Sequence, residues 1–231
     1  MTSIPLLRHA LRLSCLVLLF ALVGCASSGP PPLTMVAEVV SEPVGLTIVR
    51  DGEVLGAAPI ELGLDGLEEA SELTVAKASN KILERRIQIL GPRQVRVVLT
   101  LADQASALAE ALGLTDILVF DYGERASFKV SSHDLDPELL PILQNQAELL
   151  EQRFAGIDLH ICGHTDSSGR DDSNRVLSVR RAQAVADVLM RHGVSADRLN
   201  IQGFASDYPL APNDTTEGKA LNRRTEIVIG E

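Results

Sequence analysis

From Asp116 to the end of the chain, short apolar runs alternate with longer amphipathic ones, and this alternation limits the fold more than any other feature. Asp116-Ile117-Leu118-Val119-Phe120 has the length and composition of a strand. Asp136-Pro137 then opens a helix, with aspartate as N-cap and proline in the first turn. Its apolar stripe is Leu139, Leu143, Leu150 and Phe154, and Pro141 falls early enough to cost one backbone bond only. Residues 157–162 predict a second strand and residues 174–192 a second helix, ended by Gly193. Two further strands are expected at 199–204 and 225–229. A βαβαββ order packs helices on one face of a mixed sheet. Residues 114–231 are therefore expected to form a two-layer α+β domain.

Upstream the texture changes. Over residues 35–101 the apolar runs are short and are punctuated by Asp51-Gly52, Gly56, Gly63, Asp65-Gly66 and Gly91-Pro92. The run from Val44 to Arg50, followed by Asp51-Gly52, reads as a strand entering a tight hairpin. Val95 to Leu99 reads as a closing strand. A small all-β N-terminal domain is expected here, joined to the α+β domain by an alanine-rich helical connector over 102–113. Ser41-Glu42-Pro43, the Asp51-Gly52 turn, Gly56-Ala57-Ala58-Pro59-Ile60 and Val97-Val98-Leu99 together resemble a PEGA-type β module. That resemblance implies a spacer or a docking surface for an envelope protein, with no chemistry of its own.

The N-terminal end carries Arg8 and Arg12, then an uncharged core from Leu13 to Val23. This is the layout of a secretory signal peptide. The core is shorter than the roughly 20 apolar residues of a spanning helix. Leu22-Val23-Gly24-Cys25 resembles the bacterial lipobox. The resemblance implies removal of residues 1–24 and acylation of Cys25, several acyl chains giving a firm anchor. Ala26, where an aspartate would retain the protein in the inner membrane, implies an outer-membrane destination facing the periplasm. Residues 25–34, rich in serine, glycine and proline, suit a flexible tether.

Composition removes other classes. A net charge of −10 argues against nucleic acid as a partner, because phosphate backbones select clustered Lys and Arg. Aromatics make up 3% of a chain that is 45% hydrophobic, so its cores must be aliphatic. Of three cysteines, Cys15 is in the leader and Cys25 at the anchor, which leaves Cys162 without a disulfide partner. It ends a strand-like run and reads as a small buried thiol.

Polar residues converge between the second strand and second helix of the α+β half. Gly163-His164-Thr165-Asp166-Ser167-Ser168-Gly169 offers two glycines for close turns and side chains with no core to enter. In the following helix Leu177, Ala184, Val185, Val188 and Leu189 define the apolar face. Arg181 falls near the middle of that face and Arg180 at its margin. An inward arginine needs an anion. Spacing leaves two candidates even: a closed ion pair with Asp166, or a ligand carboxylate held by the guanidinium fork.

The same loop, with Asn174, Leu177-Ser178, Arg181-Ala182, Gly203-Phe204, Asn213-Asp214-Thr215, Gly218 and Asn222-Arg223-Arg224, resembles the outer-membrane protein A C-terminal-like family, which includes the peptidoglycan-associated lipoprotein. The resemblance covers about residues 114–230. It implies non-covalent binding of peptidoglycan through the diaminopimelate of the stem peptide, with no turnover and no cofactor. It also implies that Asp166 receives the ligand's ammonium and Arg181 its carboxylate. Asp121 would form a pocket wall, and Thr165, Ser168 and Asn174 would supply hydrogen bonds. Asn222 and Arg223 would support the pocket from the side, with Arg224 on the surface.

Two alternatives stay open: a cell-wall anchor subunit of a secretion or motility machine, and an envelope peptidoglycan hydrolase. The hydrolase reading lacks a nucleophile–base pair or a Gly-x-Ser-x-Gly elbow. His160 and His164 straddle a strand end rather than one helical face and lack a third metal ligand, so no metal is expected and His164 is read as orienting the loop.

Overall fold

The computed structural model describes residues 34–76, 80–122, 128 and 131–230. The leader, Cys25 and most of the tether lie outside the described residues. Residues Pro32–Glu231 form one compact unit.

The N-terminal part runs β1 (Met35–Glu42), β2 (Thr47–Arg50), β3 (Glu53–Ala57), β4 (Ile60–Leu64), α1 (Leu67–Glu72), β5 (Thr74–Val75), β6 (Ile82–Gly91) and β7 (Gln94–Ala102). The C-terminal part adds α2 (Ala107–Leu112), β8 (Ile117–Asp121), α3 (Leu140–Arg153), β9 (Leu159–Gly163), α4 (Asp171–Arg191), β10 (Leu199–Gly203), α5 (Thr216–Asn222) and β11 (Thr225–Gly230). The βαβαββ order is present with one unanticipated insertion, the short helix α5 before the last strand. As expected, Asp136 caps the entry to α3, its carboxylate accepting the Glu138 amide at 2.9 Å, although the first turn is a 3-10 turn.

Eight strands make one mixed sheet in the order β10-β9-β11-β8-β6-β7-β1-β4, and β3-β2-β5 make a second, smaller sheet. The large sheet crosses the expected domain boundary. β6 of the N-terminal part pairs in parallel with β8 of the C-terminal part, from Glu84 opposite Ile117 to Gln88 opposite Asp121. One hydrophobic cluster holds Val39, Ile87 and Val97 together with Leu143, Leu150, Val185 and Ile227. The two parts thus share a sheet and a core, and the N-terminal part includes the helix α1, so it is not an all-β domain standing apart.

The expected helical connector is also more than a link. Ser106 caps α2, its hydroxyl accepting the Ala109 amide at 3.3 Å, and Gly113 ends it in the left-handed conformation that glycine tolerates. Leu108 and Ala109 of α2 pack with Ile117, Val119, Cys162 and Val228 on one face of the sheet. Leu118 and Phe120 of β8 join the other cluster, to which α3 and α4 contribute. Helices therefore cover both faces of this part of the sheet. That burial explains the unbroken apolar run Ile117 to Phe120, since a strand covered on both faces has no polar side.

Candidate functional site

Two glycines let the loop after β9 lie against α4. A Cβ on Gly163 would stand 1.9 Å from the Ser178 carbonyl oxygen, and one on Gly203 would stand 2.5 Å from Ser178 Oγ. Any side chain there would push the strands off the helix. Ser178 is fully buried; its hydroxyl donates to the Arg175 carbonyl at 2.9 Å and accepts the Ala205 amide at 3.1 Å. The loop is then tied on its other side, where the His164 amide donates to Arg224 O at 2.9 Å and the Thr165 amide to Ala205 O at 2.8 Å.

Within this frame Asp166 Oδ1 accepts the Ser168 amide at 2.8 Å. Asn174, in the first turn of α4, donates to the carbonyls of Asp166 (3.3 Å) and Ser168 (3.0 Å), which fixes the turn. The other Asp166 oxygen takes Arg223 Nη1 at 2.8 Å. Burial pushes the Asp166 carboxyl up, but the Arg223 bond and the Ser168 amide outweigh it and hold it below its ordinary value.

Arg181 is 1% exposed. Its Nε donates to Ser132 O at 3.1 Å and its Nη1 to His164 O at 3.0 Å, while the guanidinium lies 4.9 Å from the centre of the Phe128 ring. No carboxylate among the described residues forms an ion pair with it. Burial first, then repulsion from Arg223, bring its pKa down to about 10 despite the pull of Asp166. The closed Asp166–Arg181 pair, one of the two readings that spacing allowed, is not the arrangement found: Arg223 takes that place.

These groups line a cavity of about 200 Å³. Of the residues singled out in the sequence, Thr165, Asp166, Ser168, Asn174, Arg181 and Arg223 all border it. Ser131, Leu177 and Lys219 border it too, and the sequence reading missed them. Lys219 lies in α5, four residues before Arg223, a helical spacing that could have flagged it. Three cations thus face one carboxylate. Thr165 Oγ1 and Arg223 Nε are buried without a hydrogen-bond partner among the described residues, a state that native sites relieve with a ligand or water. A larger hollow of about 370 Å³ beside α1 and α3 is bordered by exposed or half-exposed Glu68, Glu69, Glu148 and Arg93, and has no comparable donor set.

Three expected positions differ. Asp121 does not border the cavity. It ends β8, is fully buried between β6 and β11, and stands 3.5 Å from Arg86 Nη1. Asn222 is fully buried and braces the loop before α5, its Oδ1 accepting the Leu210 and Ala211 amides at 2.8 and 3.1 Å while Nδ2 donates to Ala211 O at 2.7 Å. Arg224 is not on the surface. It is 1% exposed, with Nε donating to Glu226 Oε1 at 2.8 Å and Nη2 to Tyr208 O at 2.9 Å. Arg223 meets the cavity from the turn that ends α5, and Arg224, the next residue, turns to the buried Glu226 instead.

Arg224 belongs to a buried charge cluster directly behind the loop. Glu226, fully buried, also accepts from Arg86 Nη1 of β6, and His164 Nε2 stands 3.2 Å from its Oε2. Burial pushes the Glu226 carboxyl up, yet Arg224, Arg86 and His164 together hold it well below its ordinary value. Burial and the neighbouring Arg224 lower the His164 pKa despite Glu226, so its imidazole is neutral at pH 7. The His164 ring stacks on Phe204, with centroids 5.7 Å apart. It positions the loop. No imidazole is hydrogen-bonded to a serine or cysteine side chain among the described residues; the Cys162 thiol donates to the His160 carbonyl at 3.8 Å, and burial pushes it up and out of reach of nucleophilic chemistry.

A model of the OmpA family matches residues 127–223, a stretch that contains every side chain bordering the cavity. The putative lipoprotein YfiB of Escherichia coli (strain K12) is 34% identical over 142 residues, covering 60% of this chain and 81% of that protein. The chain belongs to the OmpA family. The probable lipoprotein YiaD of Escherichia coli (strain K12) is 37% identical over 114 residues, 49% of this chain and 52% of that protein. The peptidoglycan-binding protein ArfA of Mycobacterium bovis is 46% identical over 69 residues, 30% of this chain and 21% of ArfA. The chain therefore spans about half the length of YiaD and a fifth of ArfA. Arg86 lies outside the OmpA-family stretch, and Arg224 and Glu226 lie just beyond its end.

Proposed function

We propose that this OmpA-family chain binds peptidoglycan without turnover, gripping the zwitterionic end of a stem-peptide diaminopimelate, and tethers the outer membrane to the wall. The observation that carries this reading is the fully buried Arg181 guanidinium, which borders a cavity opposite Asp166 without a carboxylate partner among the described residues. A buried guanidinium fork bordering a cavity suits a ligand carboxylate. Asp166, held ionised, suits the ligand ammonium, and Arg223 is then free to share the carboxylate with Arg181. A cavity with three cations and one carboxylate matches an amino-acid head in which the carboxylate has the greater share of contacts. The description of ArfA as a peptidoglycan-binding protein supports the same reading.

The tether half of the proposal rests on Cys25 as a lipidated residue and on the lipoprotein descriptions of YfiB and YiaD. The full chain should co-sediment with isolated sacculi, free diaminopimelate should compete, and no muropeptide should be released. Failure to sediment, or release of soluble muropeptides, would overturn the reading. Cys25→Ala should leave the protein unlipidated in the soluble periplasmic fraction. Membrane retention of that variant with an unchanged mature mass would remove the anchor from the proposal.

A further inference from the structure

The cavity does not close at Leu177. A second hollow of about 630 Å³ continues from it along the first turns of α4 and shares Ser131, Ser168, Asn174 and Leu177 with it. Arg180 borders the far end, Val176 stands one turn before it on the same face, and Arg170 lies at the start of the helix. Val176 is 53% exposed, an apolar side chain facing solvent beside a polar cavity. Arg170 stands 3.7 Å from Asp172, which also borders the hollow, whereas Arg180 forms no ion pair with a carboxylate among the described residues. Periodicity placed Arg180 at the margin of the buried face. In the fold that margin is the wall of a groove continuous with the binding cavity.

We infer that this groove is a second subsite, in which Arg180 receives the free carboxylate of the residue preceding the diamino acid in the stem peptide. The inference rests on the peptidoglycan reading above. That preceding residue is a glutamate joined through its side-chain carboxyl, so its α-carboxylate stays ionised and projects from the peptide. Asn174 and Arg180 are six residues apart, about 9 Å along the helix axis. With the zwitterionic head in the cavity that Asn174 borders, this span is the reach of a diamino acid whose backbone amino group is acylated by the glutamate side chain, and the second carboxylate falls at Arg180. Val176 lies between, where the methylene stems of the two residues would cross. Amidation of the glutamate would remove the charge that Arg180 reads, so the groove selects the unamidated stem.

Calorimetry on the full chain in detergent tests this with three probes: free meso-diaminopimelate, the tripeptide L-alanyl-γ-D-glutamyl-meso-diaminopimelate, and that tripeptide with its glutamate carboxyl amidated. Arg180→Ala should weaken the acidic tripeptide about three- to tenfold, the range for one solvent-edge charged contact. It should leave free diaminopimelate unchanged and bind the amidated tripeptide as the parent does. Arg180→Gln, which keeps the side-chain length, should behave like Arg180→Ala. Equal affinity of parent and variants for the acidic tripeptide would overturn the subsite, as would equal affinity of the parent for the acidic and amidated forms. An equal loss of free diaminopimelate would show that Arg180 acts on the first cavity instead. If the parent bound none of the three probes, the peptidoglycan reading itself would fall, and the subsite with it.

Discussion

Arg181→Ala should lower sacculus binding at least tenfold, and by about a hundredfold or more if both arms of the guanidinium fork meet the ligand. Each hydrogen bond to a charged group is worth about 1.5–3 kcal/mol, and each 1.4 kcal/mol is about tenfold in affinity. Arg181→Lys keeps the charge and loses the fork, so it should recover only part of the binding. The substitution to alanine also leaves the His164 and Ser132 carbonyls without their donor, so some loss of thermal stability is expected, and binding must be read below the new midpoint. Asp166→Asn approaches the clamp from the other side. It keeps an acceptor for the Ser168 amide but leaves Arg181, Arg223 and Lys219 without an opposing charge, so an ammonium should be repelled. Because Asp166 is held below its ordinary value, it stays ionised as pH falls through the usual carboxylate range near 4, and parent binding should persist there. If both variants fold and still co-sediment like the parent, the clamp is wrong.

The parts of this site that the sequence made legible are those carried by one loop and one helix. Gly163 to Gly169, Asn174 and Arg181 fall within one turn-and-helix unit, and helical periodicity alone aims Arg181 inward. The partner of Asp166 was not legible. Arg223 is 57 residues away in sequence, and only the antiparallel pairing of β11 beside β9 brings it to the loop. The same limit hid Arg86, which is 140 residues from Glu226 and reaches it because β6 lies beside β8. The domain boundary misled for a related reason. A change of texture from short strands to alternating strands and helices reads as two domains, but texture does not report which edge strand pairs with which. Here β6 extends the sheet across that change, and the alanine-rich segment thought to separate the halves seats Leu108 and Ala109 in the core. The pocket-wall place that the resemblance implies for Asp121 is not where it lies, and its sequence context offers no warning, since a strand-end carboxylate next to an apolar run looks the same whether it faces a cavity or a buried arginine.

The cluster behind the loop carries the second large effect. Glu226→Gln should destabilise the fold by about 3–5 kcal/mol, the usual result of removing one partner from a buried ion pair. At roughly 2–4 °C per kcal/mol for a chain of this size, the melting midpoint should fall by on the order of 10 °C. The cause is that Arg86 and Arg224 remain, both nearly buried, with their shared carboxylate gone. The pH dependence has a fixed sign. Glu226 has its folded pKa depressed, so its stabilisation is present above the ordinary glutamate value near 4.3 and is lost as pH falls toward the depressed one. His164, also depressed, contributes in the same direction from about 6.5 downward, since the unfolded chain takes up that proton first. The parent should therefore lose stability in two steps on acidification, and Glu226→Gln should lack the lower one. Arg86→Met in the Glu226→Gln background should add to the loss, because it takes the arginine away from buried Asp121, 3.5 Å from its Nη1. A midpoint within 2 °C of the parent for Glu226→Gln would show that the cluster is solvated and contributes little. Since Arg86 comes from β6, a fragment beginning at Leu114 leaves Glu226 and Asp121 without that arginine, with the β8 edge exposed as well. Such a fragment should melt well below the full chain, and sacculus binding measured on it would understate the affinity of the intact protein.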